Sequence, residues 1–80
     1  MGHLYGMALH EGEPAKGVAV KLLSAEGKVT EEGQTDDEGS FVFPIEEGTW
    51  TVQWTTAGGE PNEGQVEVAP GEDAEVELEV

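Results

Sequence analysis

Few side chains in this sequence could do chemistry, and their spacing limits what that chemistry could be. The histidines are His3 and His10, and there is no cysteine. A histidine third from a free amino terminus, as in Met1-Gly2-His3, can chelate copper or nickel through its imidazole and the preceding amides. Removal of Met1 ahead of Gly2 would leave the histidine second and spoil that geometry. His3 and His10 stand seven positions apart. An odd separation points two side chains to opposite faces of a regular strand, so the pair is poorly placed to share an ion. Asp36 and Asp37, with Glu38 after them, are the other candidate metal ligands. Calcium wants about six or more oxygens. The segment lacks the spacing of a helix–loop–helix calcium loop, and with Gly39 after it a tight turn already explains these residues.

Nucleophilic and acid–base chemistry find less support. Ser24 and Ser40 offer hydroxyls, but no Gly-x-Ser-x-Gly elbow, phosphate-cradling glycine loop or paired-histidine metalloprotease motif is present. Adjacent glutamates abound, yet carboxylates on a strand surface are ordinarily solvated and count only where a pocket perturbs them. No catalytic residue and no cofactor is therefore assigned, and the chain reads as a non-enzyme. Trp50 and Trp54 could form a sugar-stacking platform. They share parity with Val52, however, while Thr49, Thr51, Gln53 and Thr55 alternate with them, which is the pattern of an inward-facing row.

The elements that must position these residues are strands. Apolar residues alternate with polar ones at period two, and Gly and Pro turn signals recur at short intervals, with no helical periodicity. Seven strands are expected. The first spans about 3–10, the second 18–24, the third 29–35, the fourth 40–45 and the fifth 49–56; the sixth carries Val66 and Val68, and the seventh Val76, Leu78 and Val80. Residues 11–14 and 57–63 read as a turn and a loop. The third strand, rich in glutamate, reads as an edge. Pro44 in the fourth should keep its missing amide donor away from a neighbour. Seven half-apolar strands bury their apolar faces by stacking. The fold class is therefore an all-β, antiparallel or mixed two-sheet sandwich of immunoglobulin-like architecture around Phe41, Phe43, Trp50 and Trp54.

Length and charge set further bounds. Eighty residues make one domain, 1–80, with residues 1–3 expected to stand apart from the sandwich. Eighteen acidic residues against three lysines give a net charge of −15. That sign excludes a nucleic-acid footprint and attraction to anionic membrane surfaces. It suits a cationic partner, or a solubilising surface of the kind favoured by a salt-rich habitat. No apolar stretch approaches the roughly 20 residues needed to cross a bilayer, so no membrane insertion is expected. No secretory leader pattern opens the sequence. The expected location is cytoplasmic if the chain is whole, and extracellular if it is a domain of a secreted parent.

The succession Gly6, Pro14, Gly17-Val18-Ala19-Val20, Thr35-Asp36-Asp37-Glu38-Gly39-Ser40-Phe41-Val42-Phe43 and Gly48-Thr49-Trp50-Thr51-Val52 resembles the carboxypeptidase regulatory-like domains. The resemblance runs from about Leu4 to Val80 and implies a transthyretin-like (prealbumin-like) sandwich. It also implies an accessory role: a spacer, a folding partner of an enzyme domain or an adhesion unit, without a catalytic set to carry over. Some relatives of this sandwich form a Lys–Asn isopeptide bond with an asparagine in the last strand. Here the only asparagine, Asn62, lies outside that strand, so no such bond is expected.

The first strand departs from simple alternation, since both faces are apolar. Leu4, Gly6 and Ala8 form one row, and Tyr5, Met7 and Leu9 the other. If the first row packs inward, the second is an exposed apolar stripe suited to a protein partner or self-association; the opposite register would bury it. The functional expectation is a non-catalytic module acting through protein contacts, with Tyr5, Met7 and Leu9 as its surface. A carbohydrate- or metal-binding domain is the alternative.

Overall fold

Alternation along the chain becomes eight strands. A computed structural model describes residues 2–80: β1 (Gly2–His10), β2 (Glu13–Pro14), β3 (Ala19–Leu23), β4 (Val29–Gln34), β5 (Ser40–Ile45), β6 (Gly48–Thr55), β7 (Pro61–Val68) and β8 (Ala74–Glu79). They form two sheets. In the mixed sheet β1 pairs antiparallel with β5 and with the short β2, and parallel with β8. The second sheet, in the order β4-β3-β6-β7, is antiparallel throughout. No helix of the described residues is long and apolar enough to cross a membrane.

The sheets stack because each offers one apolar face. Leu4, Ala8, Phe41, Phe43, Ile45 and Leu78 come from the mixed sheet, and Val20, Leu22, Val52 and Val68 from the antiparallel one. Burying each large side chain contributes roughly 1.5–3 kcal/mol. The Phe41 and Phe43 rings lie 5.3 Å apart and tilted by 46°, within the range of favourable edge-on aromatic contacts. Trp50 and Trp54 are half-buried and packed against this core. The four rings expected to organise the interior all contribute to it, the tryptophans from its margin.

The eighth strand is β2. Residues 11–14, read as a turn, contain a two-residue turn closed by a short ladder, Leu9 opposite Pro14 and His10 opposite Glu13. Glu11 and Gly12 both take positive φ, 53° and 85°, the geometry of a hairpin turn whose twist matches its strands. The 57–63 loop is also shorter than expected. β7 begins at Pro61, opposite Thr55, because β6 offers a full ladder for it. Pro61 costs little as the first residue of a strand. As expected, β4 is an edge strand. Pro44 lies in β5, which has β1 on one side and no strand on the other. Of residues 1–3, Gly2 and His3 open β1 opposite Ile45 and Pro44; Met1 lies outside the described residues.

Candidate protein-contact face

The register of β1 decides which of its two apolar rows faces out. Leu4, Gly6 and Ala8 are buried. Gly6 faces the Phe41 ring so closely that a Cβ there would force the ring to move. The bulky row therefore points to solvent: Tyr5 is 44% and Met7 41% exposed, and Leu9 is half-buried at the strand's end. Val42, opposite Tyr5 on β5, is 53% exposed and extends the apolar surface. Sequence reasoning did not single out Val42, although its position between Phe41 and Phe43 gives it outward parity.

β8 lies on the other flank of β1. Its parallel register sets Tyr5 beside Glu75, Met7 beside Glu77 and Leu9 beside Glu79. All three glutamates are exposed. An acidic row thus runs in register with the apolar row, and an open depression is lined by Tyr5, Met7, Ser40, Glu75 and Glu77. This pairing brings together residues about seventy positions apart, which period-two alternation cannot reveal.

The outer face of the antiparallel sheet has a different character. Thr49, Thr51, Gln53 and Thr55 of β6 carry it, with Lys21 of β3 opposite Gln53. None of the three lysines lies in a strand of the mixed sheet. The two outer faces of one sandwich are therefore unlike: one is polar and of mixed charge, the other apolar with an acidic border.

The candidate metal ligands are not brought together. His3 and His10 sit at opposite ends of β1, about 23 Å apart at about 3.3 Å per residue. His3 lies on the outer face, its ring 6.0 Å from that of Tyr5. Its backbone N–H donates to Asp73 Oδ1 at 2.8 Å. His10 Nδ1 lies 2.6 Å from the Val80 oxygen. Asp36 is occupied with turn formation: its Oδ1 accepts the N–H groups of Glu38 and Ser40, both at 2.9 Å. Asp37 pairs with Lys16 at 3.0 Å on the exposed surface. Among the described residues no three His, Asp or Glu side chains gather in a metal-binding group.

Trp50 and Trp54 lie half-buried against the core, as their inward parity predicts. Each indole N–H donates to a backbone carbonyl, Trp50 to Glu46 at 2.9 Å and Trp54 to Glu79 at 3.0 Å. The second bond ties β6 of one sheet to the end of β8 in the other. Asn62 is exposed in β7, opposite Trp54, and its Oδ1 accepts the N–H of Glu63. Thr35, which the sequence offered only as part of the family-like succession and without a role, is the one buried polar residue among the described residues. Its hydroxyl donates to Ala15 O at 2.6 Å and accepts Val18 N–H at 2.9 Å, fastening the β2–β3 connection to the end of β4.

With this geometry established, the comparisons with known proteins are consistent with one another. The chain belongs to the carboxypeptidase regulatory-like domain family, whose sequence profile matches residues 8–80. The comparison with curated protein sequences gave no match. Among solved structures, the major pilin subunit BcpA of Bacillus cereus (a D312A form) superposes with a TM-score of 0.79 at 15% identity, covering 98% of this chain and 29% of the pilin. The Bacillus anthracis TIE protein superposes with a TM-score of 0.83 at 19% identity, covering 98% of this chain and 16% of that one. The dioxygenase domain of a dioxygenase–carbohydrate-binding fusion from Streptomyces sp. SirexAA-E gives 0.73 at 13% identity, covering 99% of this chain and 78% of that one. At these identities the likeness is one of fold. The chain spans less than a third of the pilin and TIE chains it matches. It is a β-sandwich module of the regulatory-like class, and shared fold leaves function to the site.

Proposed function

We propose that this chain is a non-catalytic module that works through protein contacts made by the outer face of its mixed sheet. The observation that carries this reading is the outward row Tyr5-Met7-Leu9, joined by Val42 across the β1–β5 ladder. A small domain leaves isolated apolar side chains exposed without consequence. Four neighbouring ones on a single face, with a threonine-rich face on the other side of the same sandwich, form a patch of the kind that marks an interaction site. The regulatory-like family and the pilin and TIE neighbours support an accessory role. A dioxygenase domain shares the fold, but catalysis needs assembled groups, and the histidines and acidic turn here are dispersed. The alternative of a metal-binding domain loses support for the same reason, and that of a carbohydrate-binding domain because both tryptophans pack half-buried against the core and leave only part of each ring open.

The test is a selection of displayed peptides against the intact chain, followed by binding to two variants. Met7→Lys should weaken the selected peptides at least tenfold, and Thr51→Lys on the opposite face should leave them unchanged, with both variants giving wild-type circular dichroism. Peptides indifferent to Met7→Lys, or equally sensitive to Thr51→Lys, would remove this face as the contact surface.

A further inference from the structure

The apolar row has a charged border on one flank only, and that asymmetry defines what can cover it. This step rests on the contact-face reading and deepens it. Glu75, Glu77 and Glu79 flank Tyr5, Met7 and Leu9 pair by pair, and no lysine lies in any strand of that sheet. A second copy of the chain would bring another charge of −15 with the same acidic row, so like charges oppose self-association through this face. A partner with apolar side chains over β1 and cations over β8 would instead meet complementary chemistry along both rows.

The backbone of the partner is constrained as well. A single strand laid across a sheet face leaves its own N–H and C=O groups without partners. Strand addition belongs at a sheet edge, β5 or β8 here, and would leave the apolar row on the face uncovered; at the β5 edge Pro44 also has no N–H to donate. A helix satisfies its backbone internally and is the common cover for an open sheet face. The repeats also agree. Successive outward glutamates are about 6.6 Å apart at about 3.3 Å per strand residue. Residues four apart on a helix are about 6 Å apart at about 1.5 Å per residue.

We infer that the outer face of the mixed sheet binds a basic amphipathic helix of a partner protein, its apolar stripe on Tyr5, Met7, Leu9 and Val42 and its Lys or Arg side chains, at i, i+4 and i+8, against Glu75, Glu77 and Glu79.

Three designed 18-residue helical peptides of equal length test this by residue-resolved NMR titration of the intact chain. One carries a leucine stripe with lysines on one flank. A second keeps the stripe with glutamine in place of lysine, and a third keeps the lysines with glutamine in place of leucine. The first should shift the resonances of Tyr5, Met7, Val42 and Glu77, and both controls should bind at least tenfold more weakly. Glu77→Lys should weaken the first peptide about tenfold, whereas Glu67→Lys in β7, the same change in net charge, should not. Equal binding of the glutamine-flanked helix at the same residues would overturn the cationic requirement while keeping the contact face. Equal binding of the lysine-only helix, or equal loss with Glu67→Lys, would reduce the effect to diffuse attraction and overturn the inference. Shifts absent from the face with all three peptides would remove both the inference and the contact-face reading.

Discussion

Gly6 and Phe41 face each other across the β1–β5 ladder, and a Cβ on Gly6 would lie 1.9 Å from Cζ of the Phe41 ring. The aromatic ring occupies the volume that a side chain on β1 would otherwise fill, so the two residues act as one packing unit. Gly6 thereby fixes which side of β1 is inward, and with it the outward placement of Tyr5 and Met7. Gly6→Ala should cost about 1–3 kcal/mol, the usual penalty for forcing a methyl group into a packed core. Denaturant unfolding checks this. Adding Phe41→Leu should recover part of the loss, a coupling expected only of residues in contact; strictly additive losses would contradict the packing account.

Thr35 supports a prediction of a different kind. Its buried hydroxyl serves Ala15 O and Val18 N–H together. Thr35→Val keeps the shape and strands both backbone groups, each at about 1–3 kcal/mol. The midpoint of urea unfolding should fall accordingly, and Thr35→Ser should retain most of the stability. Equal effects from valine and serine would show that packing, not hydrogen bonding, matters at this position.

At the β1–β2 turn, Glu11 holds a φ of 53°, a conformation favoured by asparagine and glycine but not by glutamate. Glu11→Asn should stabilise the domain by about 0.5–1 kcal/mol, which a domain of this size registers as a rise of several degrees in Tm. An unchanged or lowered Tm would contradict the turn geometry.

These cases show what alternation reveals and what it hides. Phe41, Phe43, Val52 and the remaining core rows follow from period two because one face of each strand must leave water. β1 was ambiguous because both of its rows are apolar; only the contact between Gly6 and Phe41, set by register with a strand some thirty-five residues away, resolves it. The acidic border on that face depends on the parallel β1–β8 pairing, a long-range choice with no local signature. Short ladders such as β2 escape notice because two residues carry no periodicity. His3 and His10 stand near the two ends of β1, parted by the length of the strand more than by parity.

Charge gives the fourth prediction. The Lys16–Asp37 pair is exposed and worth little in water, so most of the net −15 stays uncompensated and opposes compaction. Sodium chloride shortens the Debye length from about 30 Å at 0.01 M to about 3 Å at 1 M. Tm should therefore climb steadily across that range. A flat melting curve series would show that self-repulsion contributes nothing to stability.

The parallel alignment of the first and last strands has a mechanical corollary. Leu4 lies beside Ala74 and Leu9 beside Glu79, so Gly2 and Val80 lie at opposite poles of the β1–β8 ladder. Tension applied between those poles would pull β1 and β8 past one another along their length, loading their shared hydrogen bonds simultaneously instead of peeling them open in turn. Such a geometry would make the ladder yield as a unit.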